Sequence, residues 1–275
     1  MNLGSYRIEQ LSEGIFEISG GGSIQKVRDH QKKQTRDDVL RVGLDPVLID
    51  TGKERILLDA GLGMGLDNNE PEKETSNLLT NLEIFGYKAT DINKVILSHL
   101  HYDHSAGLSY TDHSGHIQAT LPNATIFVQK SEWEACLEYR EKQASYGPGY
   151  EPDDLYKLVA ENRFTFLTRD RIDIAPGITA IHTGGHTPGH QIVRIQSGSE
   201  TAFYCGDLIP NELYMNHYLV DKADLDSLKT RKAKMLLLQQ ADRNNATLLF
   251  YHSIHKKAGK VVRDKNRRFI LKNIT

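Results

Sequence analysis

The segment SHLHYDHSAG, from Ser98 to Gly107, sets three histidines and an aspartate within the six residues His99 to His104. Imidazole nitrogens and carboxylate oxygens at this density are the donors that a borderline divalent metal such as zinc takes. In an extended segment side chains two apart point the same way, so His99 and His101 leave a strand end together. A turn after Tyr102 then aims Asp103 and His104 at a second point nearby. A pair of metals roughly 3.5–4 Å apart needs further ligands and one bridging group. Three later residues offer them: His186 in TGGHTPGH, Asp207 closing FYCGD, and His252 closing LLFYHS. His255 competes with His252 for the last place; His252 is preferred because it lies directly at the end of the apolar run.

Positioning these groups requires strands that end in one place. GIFEISG reads as a strand, and DPVLIDTGKERILLDAG as two short β-branched runs broken by the turn-like TGKE. NKVILSHLHYDH reads as a short buried strand running into the histidine cluster. ATIFVQK, FTFLT, GITAIHT, HQIVRIQS, TAFYCGD and TLLFYHS are further strands, and GKVVRDKNRRFILKNI a terminal hairpin turning near Asp264 to Asn266. Helical spacing of Leu78, Leu79, Leu82 and Phe85 predicts a helix in TSNLLTNLEIFGY, capped by Ser or Thr and stopped at Gly86. Other helices are expected from Ser131 to Gln143 and from near Asp153. The longest is DLDSLKTRKAKMLLLQQADRN, opened by Asp224 or Asp226 and carrying Leu225, Leu228, Met235, Leu236 and Leu238. The charged QKVRDHQKKQTRDDVLRV reads as an exposed loop, and SYGPGYEPDD as irregular. Strands alternating with helices, with no fixed-period repeat and no evident linker, predict one α/β domain over 1–275, with a helical or lid insertion over 131–163.

Composition narrows the class. A chain of 275 residues buries roughly three quarters of its unfolded surface as one domain and needs no staples. The balance of 34 basic and 36 acidic residues, net −2, argues against a nucleic-acid binder that relies on bulk positive charge. Two cysteines, Cys136 and Cys205, without C-x-x-C spacing give neither a disulfide framework nor a thiolate zinc knuckle. No signal peptide and no membrane-length apolar run is visible, so the chain reads as soluble and cytoplasmic.

SHLHYDH with GGHTPGH, CGD and a strand-terminal YHS resembles the metallo-β-lactamase superfamily. The resemblance covers residues 45–255 and implies a four-layer αβ/βα sandwich with a dinuclear site at one edge. It implies that His99, His101 and His186 hold one metal, that Asp103, His104 and His252 hold the other, and that Asp207 bridges them. ILLDAG places Asp59 at the family's first motif, an acidic residue that orients the metal loop from behind. Histidine at 101, rather than the glutamate of the di-iron redox branch, favours hydrolysis. The remaining histidines, His190 among them, are expected on the surface, in loops or behind the ligands.

Two divalent metals lower the pKa of a bridging water, so hydroxide is present near neutral pH to attack a polarised carbonyl or phosphoryl group. Asp103, while bound to metal, keeps an oxygen that can pass a proton to the leaving group. The stretch from Gly22 to Gly63 is similar to quorum-quenching lactonases of the YtnP type and, more loosely, to methyl parathion hydrolases. This resemblance implies opening of a lactone ring, with N-acyl-homoserine lactones as substrates; an aryl-ester or phosphotriester hydrolase is the alternative. The acyl-homoserine lactonase branch carries a tyrosine shortly after the bridging aspartate, whereas this chain has Pro210 there and tyrosines later, at Tyr214 and Tyr218. Those two, with Tyr146 and Tyr150, are the candidate substrate contacts, the latter pair in a lid over an acyl tail. The partner is then a small lactone or ester, with no nucleic acid and no membrane; a homodimer stays open. A non-catalytic metal-binding protein is the competing class, but a closed structural site fills its coordination with protein, and this set leaves room for water.

Overall fold

The computed structural model describes residues 1–19, 24–27, 39–63, 77–142 and 149–272. Two seven-stranded sheets dominate it. The first runs, edge to edge, through Asn2–Leu3, Tyr6–Gln10, Val47–Asp50, Arg55–Leu58, Lys94–Ile96, Thr125–Gln129 and Phe164–Leu167. The second runs through Arg171–Ala175, Ile178–His182, Gln191–Ser197, Glu200–Tyr204, Thr247–Leu249, Ala258–Arg263 and Phe269–Lys272.

Period-two alternation explains the layering, because successive side chains on a strand face opposite ways. Val47, Ile49, Ile56, Leu58 and Ile96 of the first sheet meet Ile178, Ala180, Val193, Ile195, Ala202, Tyr204 and Leu249 of the second in one buried cluster. The alternate residues Leu48, Leu57 and Val95 face outward, under Leu78 and Leu82 of the helix Asn77–Ile84 and Cys136 of Lys130–Lys142. Phe203, Leu248 and Ile192 likewise face Leu237, Leu238 and Ala241 of Ser227–Arg243. Helix, sheet, sheet, helix is thus the order of layers, the metallo-β-lactamase arrangement expected from the resemblance. Both central strand sets are apolar on two faces, which holds them in place through burial at roughly 25 cal/mol per Å² of apolar surface.

Several expectations need correction. The charged stretch 25–42 is not wholly loop: its ends lie in Ile24–Lys26 and Val39–Leu44, which pair with Gly14–Ser19 in a three-stranded sheet. Phe16 and Val42 supply the apolar face that makes it a sheet, and the middle of the stretch lies outside the described residues. The helix expected near Asp153 opens as a 3-10 turn, Pro152–Leu155, before Tyr156–Ala160, and this region packs Leu155 and Leu158 into the outer core. The long helix buries Thr230, Lys234, Leu237, Leu238 and Ala241, whereas Leu225, Leu228 and Leu236 are exposed. Its cap is Asp226, whose side chain accepts from the Leu228 and Lys229 amides. The strands Tyr6–Gln10 and Arg171–Ala175 and the hairpin Ser109–Thr111 with Ile117–Ala119 were not anticipated, being short and polar on alternate residues.

Among the described residues no helix is long and apolar enough to cross a membrane.

Candidate metal centre

Five chain segments end at one edge of the sandwich. Asp59 follows Arg55–Leu58, and the histidine cluster follows Lys94–Ile96. His186 lies in the turn between Ile178–His182 and Gln191–Ser197; Asp207 and His252 follow Glu200–Tyr204 and Thr247–Leu249. Arg55–Leu58 pairs parallel with Lys94–Ile96, and Glu200–Tyr204 pairs parallel with Thr247–Leu249, so their C-terminal ends share an edge. Crevices beyond such ends are where α/β sheets place their ligands.

The donors fall into two groups. His99 Nε2 lies 2.9 Å from His101 Nδ1, which lies 3.3 Å from His186 Nε2. His104 Nε2 lies 3.3 Å from His252 Nε2, and Asp103 Oδ2 lies 3.8 and 3.5 Å from these two atoms. Asp207 stands between the groups. Its Oδ1 is 3.3 Å from His104 Nε2 and 3.2 Å from His252 Nε2, while its Oδ2 is 3.3 Å from His186 Nε2 and 4.0 Å from His99 Nε2. Gly206, just before it, takes φ +49°, and a Cβ there would stand 2.7 Å from Ser98 Cβ and 2.8 Å from His190 Nε2. Only glycine lets the Asp207 turn approach this closely.

The outer nitrogens fix the tautomers. His252 Nδ1 donates to the Gly43 carbonyl at 3.0 Å, and His186 Nδ1 to the Asp224 carboxylate at 3.0 Å. His104 Nδ1 donates to Asp59 Oδ2 at 2.7 Å. Ser98 Oγ donates to Asp59 Oδ2, which leaves it to accept from His99 Nδ1 at 3.0 Å. A neutral imidazole carries one N–H. With Nδ1 so occupied, the four Nε2 atoms of the neutral imidazoles point lone pairs inward. Asp103 Oδ1 and Asp207 Oδ1 are buried without a hydrogen-bond donor. Bare imidazole lone pairs and orphaned carboxylate oxygens converging on two points suit two divalent cations, and the outward Nδ1 bonds are those that orient metal-binding histidines.

The electrostatics agree. Burial and the neighbouring imidazoles hold His99 and His101 well below the usual histidine pKa. Burial also opposes charge on His104 and His252, but Asp207 and Asp103 outweigh it and hold both imidazoles up. Asp207 itself is buried, yet His252 and His104 keep its carboxyl well below the usual range. The one-sided demand for positive charge beside Asp207 is what a bound cation satisfies in place of protons.

Asp59 is the best-supported group behind the donors. It is fully buried at φ +55° and accepts from the Ser98 amide at 2.6 Å, Ser98 Oγ at 2.7 Å, His104 and Tyr204 Oη at 2.6 Å. Residues beyond the donors themselves complete the surround. His190 accepts from the Asp207 amide through Nε2 at 3.0 Å and bonds Thr183 Oγ1 through Nδ1 at 2.7 Å. Tyr251 donates to the Asp103 carbonyl and stacks on His104 at 4.0 Å between ring centroids. Asp224 and Glu132 are wholly tertiary in their role; the only sequence signals were a helix-opening aspartate and an acidic residue in an otherwise unremarkable helix.

The candidate substrate tyrosines scatter. Tyr150 is buried, its hydroxyl donating to Glu132 at 2.9 Å and its ring 5.1 Å from that of His101. Tyr214 donates to Asp221 at 3.1 Å, and burial with Asp221 pushes its hydroxyl up to about 12. Tyr218 is exposed against His217, and Tyr146 lies outside the described residues. His255 is exposed and stands apart from the donors, unlike His252.

Residues 45–252 match the profile of the Metallo-beta-lactamase superfamily, and the chain belongs to it. Relatives include an N-acyl homoserine lactonase of Bacillus cereus, 27% identical over 164 residues that are 54% of this chain and 57% of that protein. The N-acyl homoserine lactonase AiiA of Bacillus thuringiensis subsp. kurstaki is 29% identical over 169 residues, 55% of this chain and 59% of that one. The chain therefore spans a little over half the length of the curated relatives it matches. A probable metal-dependent hydrolase from Staphylococcus aureus superposes with TM-score 0.77 at 26% identity, all of both chains being covered. AidC, a dizinc quorum-quenching lactonase solved with a homoserine product, superposes with TM-score 0.73 at 21% identity over 100% of this chain and 97% of that one. The likeness to AidC is one of fold.

Proposed function

We propose that the protein is a dinuclear metal-dependent hydrolase that opens a lactone ring, with N-acyl-homoserine lactones as substrates and zinc as the metal. The observation that carries this reading is the Asp207 carboxylate, which turns one oxygen to each of two clusters of imidazole and carboxylate donors. In it His99, His101 and His186 would hold one ion and Asp103, His104 and His252 the other, with one Asp207 oxygen facing each set. Two such ions, when bound, would supply a water made nucleophilic near neutral pH and a Lewis-acid grip on the scissile carbonyl.

The chain's own residues do the rest. Water adds to the carbonyl carbon and gives up a proton, the ring C–O bond breaks, and the leaving oxygen takes that proton. Asp103 Oδ1, buried and without a donor of its own, is the atom suited to take that proton from the water and pass it to the leaving oxygen. Asp59 and His190 keep His104 and Asp207 from swinging as charge moves.

The lactone class is favoured by the named activity of the relatives and by the segment 209–226. It runs from Asp207 to the His186 turn, where the Leu225 amide donates to the His186 carbonyl at 3.2 Å. Leu213, Tyr218, Leu219 and Leu225 on it are exposed, and apolar side chains of this kind suit an acyl tail.

Acid release measured in a pH-stat, with zinc-loaded protein and a long-chain N-acyl-homoserine lactone, tests the reading. A chelator-sensitive kcat/KM above about 10⁴ M⁻¹s⁻¹ is expected. No release from protein shown to carry two metals overturns the lactone assignment and turns the search to aryl esters and phosphotriesters.

A further inference from the structure

Glu132 is fully buried near the start of the helix Lys130–Lys142, and the reaction outlined above does not use it. Its Oε1 accepts from the Leu100 amide at 3.0 Å and from Tyr150 Oη at 2.9 Å. Its Oε2 accepts from Thr187 Oγ1 at 2.6 Å and from the Gly189 amide at 2.9 Å. Leu100 sits between His99 and His101, and Thr187 follows His186. One carboxylate therefore holds the chain neighbours of all three donors in one half of the centre. None of its four bonds reaches a residue next to Asp103, His104 or His252. The approach is close as well: a Cβ on Gly189 would lie 2.3 Å from the Glu132 amide nitrogen.

We propose that Glu132 is a positioning residue that sets the His99–His101 loop against the His186 loop and so governs metal affinity in that half of the centre alone. All four partners donate, so a carboxylate satisfies each, whereas an amide turns its NH₂ group on two of them, one of which is a backbone N–H in either orientation. Glu132→Gln keeps the shape and breaks one side of the clamp. The inference rests on the metal assignment proposed above, and the experiment separates the two.

Metal-free protein is titrated with Co²⁺, followed by visible absorbance and by competition with a chelator. Wild type takes two ions. In Glu132→Gln, one ion is expected to bind roughly 10–100-fold more weakly while the other changes by less than about threefold. At one equivalent its spectrum superposes on that of His101→Ala, in which only the Asp103, His104 and His252 half is intact. Thr187→Val, which removes a single bond to Oε2, shifts the same ion in the same direction by a smaller factor and stands in if Glu132→Gln does not fold. Equal weakening of both ions, or no weakening, in a protein whose wild type takes two overturns the role of Glu132 and leaves the metal assignment standing. A wild type that does not take two ions overturns both.

Discussion

Asp59→Asn tests the support behind the metal loop most directly, because the substitution changes one atom and removes a charge. Asp59 Oδ2 accepts from Ser98 Oγ, His104 Nδ1 and Tyr204 Oη, and Oδ1 accepts from the Ser98 amide. An asparagine oriented to keep the first three partners points its NH₂ at the Ser98 amide, which orphans two buried groups. The opposite orientation orphans more. At roughly 1–3 kcal/mol for each buried group left unpaired, the cheaper orientation costs about 2–6 kcal/mol. Against a total of roughly 5–15 kcal/mol, the lower part of that range leaves a folded protein. His104 loses its anionic partner too, so metal affinity falls by roughly 10–100-fold. Urea denaturation of metal-free wild type and variant gives the stability difference, and chelator competition gives the affinity. A stability loss under about 1 kcal/mol together with unchanged metal affinity would refute the assignment of Asp59 as the group that fixes Ser98 and His104.

Asp207→Ala is expected to lose both metals rather than one, since each oxygen serves a different donor set; retention of one tightly bound ion by elemental analysis would show that it does not bridge. Burial lifts the Glu13 carboxyl from 4.5 to about 7 even though it accepts from the Leu62 and Gly63 amides. The folded chain then binds more protons than the unfolded one between those values, so stability falls as pH rises through this window. At 1.36 kcal/mol per pH unit the fall is about 3 kcal/mol, and it should vanish from the stability-versus-pH curve of Glu13→Gln. Tyr150→Phe removes one bond to Glu132 and should cost about 1 kcal/mol of stability while leaving KM within a few-fold, because the hydroxyl points at Glu132. A rise in KM of tenfold or more would place that hydroxyl on the substrate instead.

The candidate metal donors were legible because metal chemistry restricts both residue type and spacing: His99, His101, Asp103 and His104 lie within six residues, and His186, Asp207 and His252 each close or follow an apolar run. The strands were legible for a related reason. Burial on two faces leaves short continuous apolar runs such as VLID and ILL, whereas Tyr6–Gln10 and Arg171–Ala175, partly exposed and polar on alternate residues, leave almost none. Helix faces were read less well, since Leu225, Leu228 and Leu236 carry apolar character without burial while Lys234 is buried with its amine on the Leu219 carbonyl.

What the sequence determined by itself was the family and the layered fold, and it supplied the candidate donors that the fold brings together, each of which depends on local pattern. What only the tertiary structure decided was the second ring of contacts. Glu132 meets Thr187 across 55 residues, Asp224 meets His186 across 38, and the Gly43 carbonyl meets His252 across 209. No local spacing encodes such pairs. They exist because two sheets, packed face to face, bring the ends of distant strands to one edge, where every buried donor must find an acceptor.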